Sequence, residues 1–281
     1  MNVAVVTDST SDLQPAAARA EGIDVVPLFV NFGDARYRDK VEIENDEFYR
    51  KLATLAVLPT TAQPTPAMFE DAFRPHVAAG RPIVCVTIMA SLSGTINAAN
   101  AARGTFPGAE IHVVDSGTVA GGLALLAQHA AEVGREGDAA SVLATLERDK
   151  SRLRGFATVP DLTHAVRTGR VSRAQAFIGS LVKILPVLRI DSGAIKEHAR
   201  VRTYGRALET IVEAAAAEAN AADGARICVI HSAAAAEARR VAAGLRAKLK
   251  KTPARFEVLE AGPVIGTHAG QGAVGVFVIP G

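Results

Sequence analysis

Val3-Ala4-Val5-Val6, then Thr7-Asp8-Ser9-Thr10-Ser11-Asp12, then Pro15-Ala-Ala-Ala-Arg-Ala-Glu21-Gly22, is the stretch from which the fold is read. The short apolar run predicts a strand buried on both faces, and the polar hexapeptide predicts a loop. The segment opened by proline and closed by glycine predicts a helix. This β-loop-α unit continues outward. Residues 23–30 read as a strand, 46–56 as a helix behind Asn45, and 68–79 as a helix behind the cap pair Thr65-Pro66. A strand over 83–87, a helix from Gly94, a strand over 111–114 and two Ala/Leu-rich helices to about residue 153 follow. Beyond them come strands over 156–159, 184–190, 195–201, 227–231, 256–259 and 274–279. Helical stretches fall around His164 and over 174–181, 206–222 and 235–250. Alternation of this kind implies an α/β fold with mainly parallel sheets covered on both faces. At 281 residues the chain fits two α/β domains, expected at 1–153 and 154–281.

Composition narrows the function classes. Half of the chain is hydrophobic, yet only 5% is aromatic and there is no Trp, so aliphatic side chains must fill the core. The formal charge of +2 divides into −6 for residues 1–152 and +8 for the remainder. Scattered Arg and Lys with few aromatics argue against nucleic acid and leave a basic face for an acidic or phosphate-bearing partner, or simply a solvated surface. Cys85 and Cys228 each sit in an apolar run, which fits a reducing cytoplasm better than a disulfide framework and offers no metal pair. No signal-peptide pattern and no apolar run of membrane-spanning length occurs, so the protein is expected in the cytoplasm.

Several nucleotide and hydrolase signatures are missing. The loop after the first strand has no glycine, which removes the dinucleotide fingerprint, and no P-loop is present. Ser93 is flanked by Ser91 and Thr95 where a hydrolase elbow needs glycines. What remains are two hydroxyl-rich stretches: Pro59-Thr60-Thr61-Ala62-Gln63-Pro64-Thr65-Pro66 and Ser91-Leu92-Ser93-Gly94-Thr95. Hydroxyls and free amides at a helix start can replace the water that a buried anion loses. The same residues also read as an ordinary helix cap and a proline-stiffened turn. His268 stands among Gly266, Gly270 and Gly272, either as a structural histidine or where backbone approaches a ligand. Asp8 and Asp12 read as a strand-end turn former and a helix cap rather than a catalytic pair.

Six motifs in order carry a family likeness: Asp8-Ser-Thr-Ser-Asp-Leu13, Pro59-Thr-Thr-Ala-Gln-Pro64, Ser91-Leu-Ser-Gly-Thr95, Val114-Asp-Ser116, Thr168-Gly-Arg170 and Gly262-Pro-Val-Ile-Gly-Thr-His-Ala-Gly270. On these the chain resembles the DegV family, fatty acid-binding proteins that act as lipid-carrying subunits of a bacterial fatty acid kinase. The resemblance implies a long-chain fatty acid buried between two α/β domains, its carboxylate held by Thr61, Ser93, Gly94 and His268. It implies no cofactor and no catalytic site of its own. It also implies a separate ATP-dependent kinase that forms the acyl phosphate, docking near Arg170, Arg173 and Arg202. Ala62 and Thr65 stand where serines are common, Thr168 replaces the first Gly of a Gly-Gly-Arg, and Gln271 replaces a Pro. An ester hydrolase using Ser93 and His268, or a lipid sensor, are the rival readings.

Overall fold

The first strand, β1 (Ala4–Asp8), is followed by helix α1 (Pro15–Glu21), and the chain continues through β2 (Ile23–Val26), β3 (Phe29–Phe32), β4 (Ala35–Arg38), α2 (Asn45–Leu52), β5 (Thr60–Ala62), α3 (Pro66–Ala78), β6 (Ile83–Thr87), α4 (Thr95–Gly104), β7 (Ile111–Asp115), α5 (Gly121–Gly134) and α6 (Ala139–Arg152). The computed structural model describes residues 2–161, 163–169 and 184–281. β1 lies between β2 and β6, and β7 follows β6, all parallel. Every residue of β1 and β6 is buried because both faces are covered. Val5, Val84 and Val86 pack with Leu123, Leu126 and Ala130 of α5. Ala4, Val6, Ile83 and Cys85 pack with Phe69 and Phe73 of α3 and Ala98 and Ala102 of α4. Burial on both faces is why these strands read as continuous apolar runs.

The single strand expected over 23–30 is two. Pro27 has no N–H to give a ladder, so the pairing with β1 stops at Val26 and the chain turns away. β3 instead forms a small antiparallel sheet with β4 and β5, in the order β4-β3-β5. Thr60 and Thr61 are thus strand residues and not a turn.

The second half contains β8 (Arg154–Thr158), α7 (Thr163–Arg167), β9 (Leu185–Asp191), β10 (Ala194–Val201), α8 (Tyr204–Ala219), β11 (Arg226–His231), α9 (Ala235–Lys248), β12 (Arg255–Glu260), α10 (Pro263–Ala269) and β13 (Val274–Ile279). The helix expected over 174–181 lies outside the described residues. These strands form one sheet in the order β10-β9-β8-β13-β11-β12. The α/β class holds, and parallel pairing prevails in the first sheet but not here. Only β11–β12, joined by the crossover helix α9, are parallel, and the other ladders are antiparallel. β9 and β10 need no crossover, because Ser192 (φ 49°) and Gly193 (φ 75°) form a two-residue turn with both residues left-handed, which suits a tight hairpin.

Helix α5 joins the halves. One side packs on β1 and β6 and the other on β11 and β13, so a single cluster runs from Val3 and Val5 to Cys228, Phe277 and Ile279. The Phe277 ring closes this contact. A Cβ at Gly155 would lie 2.5 Å from its Cε1, and one at Gly121 3.0 Å from its Cδ2. Gly155→Ala is therefore expected to lower the unfolding free energy by about 1–3 kcal/mol through overpacking, which urea denaturation followed by circular dichroism measures. Among the described residues no helix is long and apolar enough to cross a membrane.

Candidate functional site

Between the two large sheets lies a cavity of about 460 Å³, within the range of small-molecule sites. β5 and the residue after it contribute Thr61, Ala62 and Gln63. The loop from β6 to α4 contributes Ile88, Leu92, Ser93 and Gly94, and α10 contributes His268. The four residues singled out in the sequence, far apart in the chain, therefore line one space. The rest of the wall is largely aliphatic: Val119, Leu188, Ile190, Ile195 and Ile230 among others. Thr61 with His268, and Gly94 with Gln63, bring polar groups side by side on the wall of a largely apolar chamber.

Thr61 Oγ1 and His268 Nε2 are 2.9 Å apart. Ser93 Oγ lies 2.8 Å from Thr95 Oγ1 and accepts from the Thr95 N–H at 3.3 Å, so it is both a wall group and the hydroxyl at the start of α4. Gly94 occupies the N-cap position of α4. A methyl group there would meet the end of the Gln63 side chain, so Gly94 and Gln63 are neighbours where the two loops approach. Gln63 was not singled out from sequence as a wall residue, although it lies inside the Thr-Thr-Ala-Gln motif. Thr10, Ser232 and His231 also reach the wall.

The polar loops are braced from behind by two carboxylates, the buried Asp8 and the half-buried Asp115. Asp8 accepts from the Thr10 N–H (3.0 Å), the Thr10 hydroxyl (2.5 Å) and the Ile88 N–H (2.8 Å), clamping the ends of β1 and β6 together. Burial pushes its carboxyl up to about 6 despite those donors. Asp115 accepts from the N–H groups of Ala90 (3.2 Å) and Gly117 (2.9 Å), fixing the loop that leads to Ser93. The Ser91 hydroxyl donates to the Gly193 carbonyl at 2.9 Å, tying that loop to the β9–β10 turn.

Asp12 does not cap α1, whose N-cap residue is Gln14. It takes a left-handed φ of 59° after the short 3₁₀ turn Ser9–Ser11, and its carboxylate turns inward to meet Lys40 Nζ at 3.2 Å and the Gly262 N–H at 2.7 Å. That contact pins the residue before α10. Tyr49 adds a second tether, its hydroxyl donating to the Ala261 carbonyl at 2.8 Å. Gly266 is needed here because a Cβ would fall 2.6 Å from Phe48 Cε1. Local packing thus places His268 opposite Thr61.

Arg202 is exposed on the turn between β10 and α8 and is not part of the cavity wall. Arg170 and Arg173 lie outside the described residues. Among the described residues no group of His, Cys, Asp and Glu is arranged to hold a metal ion. Cys85 and Cys228 are buried free thiols, and burial holds both well above the usual thiol range.

A family model described as uncharacterised protein of the DegV family matches residues 2–281. The chain belongs to the DegV family. It is 34% identical over 276 residues to a DegV domain-containing protein of Halalkalibacterium halodurans, covering 98% of this chain and 97% of that one. Among solved structures, it superposes with a TM-score of 0.93 and 33% identity on a DegV family protein from Thermus thermophilus described by its fatty acid binding. Both chains are covered completely. The DegV protein of Bacillus subtilis, described as a fatty acid binding protein, gives a TM-score of 0.88 at 32% identity, again over the whole of both chains.

Proposed function

We propose that this DegV protein holds one long-chain fatty acid in the cavity between its halves, domains 1–153 and 154–281. The carboxylate is taken by Thr61, Ser93, the Gly94 N–H and His268. The observation that carries this reading is a largely aliphatic chamber whose wall holds the Thr61 hydroxyl against the His268 imidazole, with Ser93 and Gly94 on the same wall. The fatty acid binding described for its structural relatives supports the same ligand. Burying about 15 methylenes at roughly 0.8 kcal/mol each yields on the order of 12 kcal/mol before ordering and association costs. The tail supplies affinity, and the polar contacts decide which end stays at the loops.

The protein acts as a carrier rather than a catalyst, working in the cytoplasm. A separate kinase supplies ATP, and a carboxylate oxygen of the bound lipid attacks the terminal phosphorus, giving an acyl phosphate and ADP. Hydroxyl and amide donors suit that step. An arginine paired to the carboxylate would hold it more tightly and weaken it as a nucleophile. Arg170, Arg173 and Arg202 form the docking face in this reading.

Native and then denaturing mass spectrometry, with organic extraction of the released compound, tests the ligand. One fatty acid per chain, of about C14 to C18, is the expected result. A chain that is isolated empty and takes up no added fatty acid overturns the reading. Incubating the loaded protein with ATP and a fatty acid kinase tests the second step. Acyl phosphate trapped as its hydroxamate is expected, and its absence with an active kinase removes the carrier role.

A further inference from the structure

The register of the second sheet shows where the cavity ends. Gly275 of β13 stands opposite Ile230 of β11 and Ala157 of β8, and Ala157 stands opposite Leu188 of β9. All four line the cavity. Two small residues side by side, Gly275 and Ala157, make a trough between the bulkier Ile230 and Leu188. One step further along the same face, the row is Cys228, Phe277, Gly155 and Ile190. Phe277 is the last β13 residue on the wall, and Ile279, two residues on, is not part of it. Beyond that point α5 covers the sheet. Cβ atoms at Gly121 and Gly155 would sit 3.0 Å and 2.5 Å from the Phe277 ring, so the ring has no room to swing aside. His268 and Ala269, at the polar part, enter β13 from its opposite end. The stretch from Ala273 to Phe277 spans about 13 Å of trough.

We propose that Phe277 is the stop that sets how long an acyl chain this protein accepts, with Gly275 as the open floor on which the chain lies. The inference rests on the fatty acid reading above and adds to it the residues that select among linear acyl chains. A ring fixed among glycines makes a rigid end wall. Acids whose tails exceed the distance from the polar loops to this wall must bend or leave their carboxylate away from Thr61 and Ser93, whereas shorter ones bury fewer methylenes.

The test uses the full chain, freed of lipid and offered an equimolar mixture of saturated acids from lauric through arachidic, with native mass spectrometry reading which are retained. Phe277→Leu, which shortens the wall while keeping it apolar, is expected to shift the preferred acid upward by about two carbons. Gly275→Val is expected to shift it downward by about as much. Gly275 has no left-handed φ, a Cβ there would lie 3.3 Å from Ile230 Cγ2, and a β-branched residue suits a strand. Folded variants that retain the same acids as the parent chain overturn the assignment while leaving fatty acid binding intact. A parent chain that retains none of the acids overturns the fatty acid reading itself, and this inference with it. If Phe277→Leu does not fold, Gly275→Val decides alone: a downward shift supports the trough and an unchanged preference rejects it.

Discussion

Lys40→Met is expected to lower the unfolding free energy at pH 8 by about 3–5 kcal/mol, the range for breaking a buried ion pair by removing one partner. Lys40 and Asp12 side chains are 2% and 0% exposed, with Nζ and Oδ1 3.2 Å apart. Methionine keeps most of the aliphatic stem and demands nothing new of the left-handed backbone at residue 40, where φ is already 58°. What it removes is the ammonium that faces the buried carboxyls of Asp12 and Asp39. Asp12 would keep the Gly262 N–H, but its charge would be left largely uncompensated.

The size of that loss depends on pH. Burial raises Asp39 from 3.8 to about 7 and also raises Asp12, while the charge of Lys40 pulls both down. A carboxyl whose folded value exceeds its unfolded one takes up a proton more readily when folded. Its favourable contribution is complete below about 4 and is lost as the pH rises through the folded value. Without Lys40 both carboxyls move higher still, so at pH 5 the variant carries Asp39 protonated and has less buried charge to compensate than at pH 8. Urea denaturation at pH 5 and pH 8 is therefore expected to show a deficit that shrinks clearly at the lower pH. An equal deficit at both would mean that lost packing, not lost charge, is what the substitution costs.

This ion pair was not legible in the sequence, and the reason is general. Lys40 and Asp12 come together only because Pro27 ends β2 and sends the chain into a second small sheet. A single proline in an apolar run does not announce where the chain goes next. The first large sheet was legible, since Val3–Val6 and Ile83–Thr87 are buried on both faces and strand composition records that directly. The second was legible in its elements but not in its pairing. β13, last in the chain, inserts between β8 and β11, and no local pattern tells a strand which neighbours or which direction it will have. The same limit separates the two ends of the cavity. Thr61, Ser93, Gly94 and His268 stood out because hydroxyls, a helix-start amide and an imidazole are donors a buried anion needs, and because they fall inside the family motifs. Phe277, inside the apolar run Val274–Ile279, reads as ordinary core, and only the register of four strands marks it as an end wall.

At the polar end, Thr61→Val and Ser93→Ala are each expected to weaken palmitate binding by about 10-fold to 100-fold, from the loss of a hydrogen bond to a charged group worth roughly 1.5–3 kcal/mol. Valine matches threonine in shape and suits β5, so the wall keeps its form while the Oγ1 that meets His268 Nε2 disappears. Ser93→Ala removes one acceptor for the Thr95 N–H, at 3.3 Å, and should leave the fold in place. Combined, the two changes should exceed either alone, with incomplete additivity because both groups would serve the same carboxylate. Hexadecanol separates head from tail, since it buries a comparable chain but brings no charge. Its affinity should move far less than that of palmitate in displacement titrations. If palmitate binds the double variant as it binds the parent, the carboxylate sits elsewhere on the wall. If both ligands weaken equally, the substitutions have disturbed the chamber itself. Selective loss of the acid alone follows only when Thr61 and Ser93 solvate its charge, which is the property a carrier needs in order to keep the reactive end of a lipid beside its polar loops.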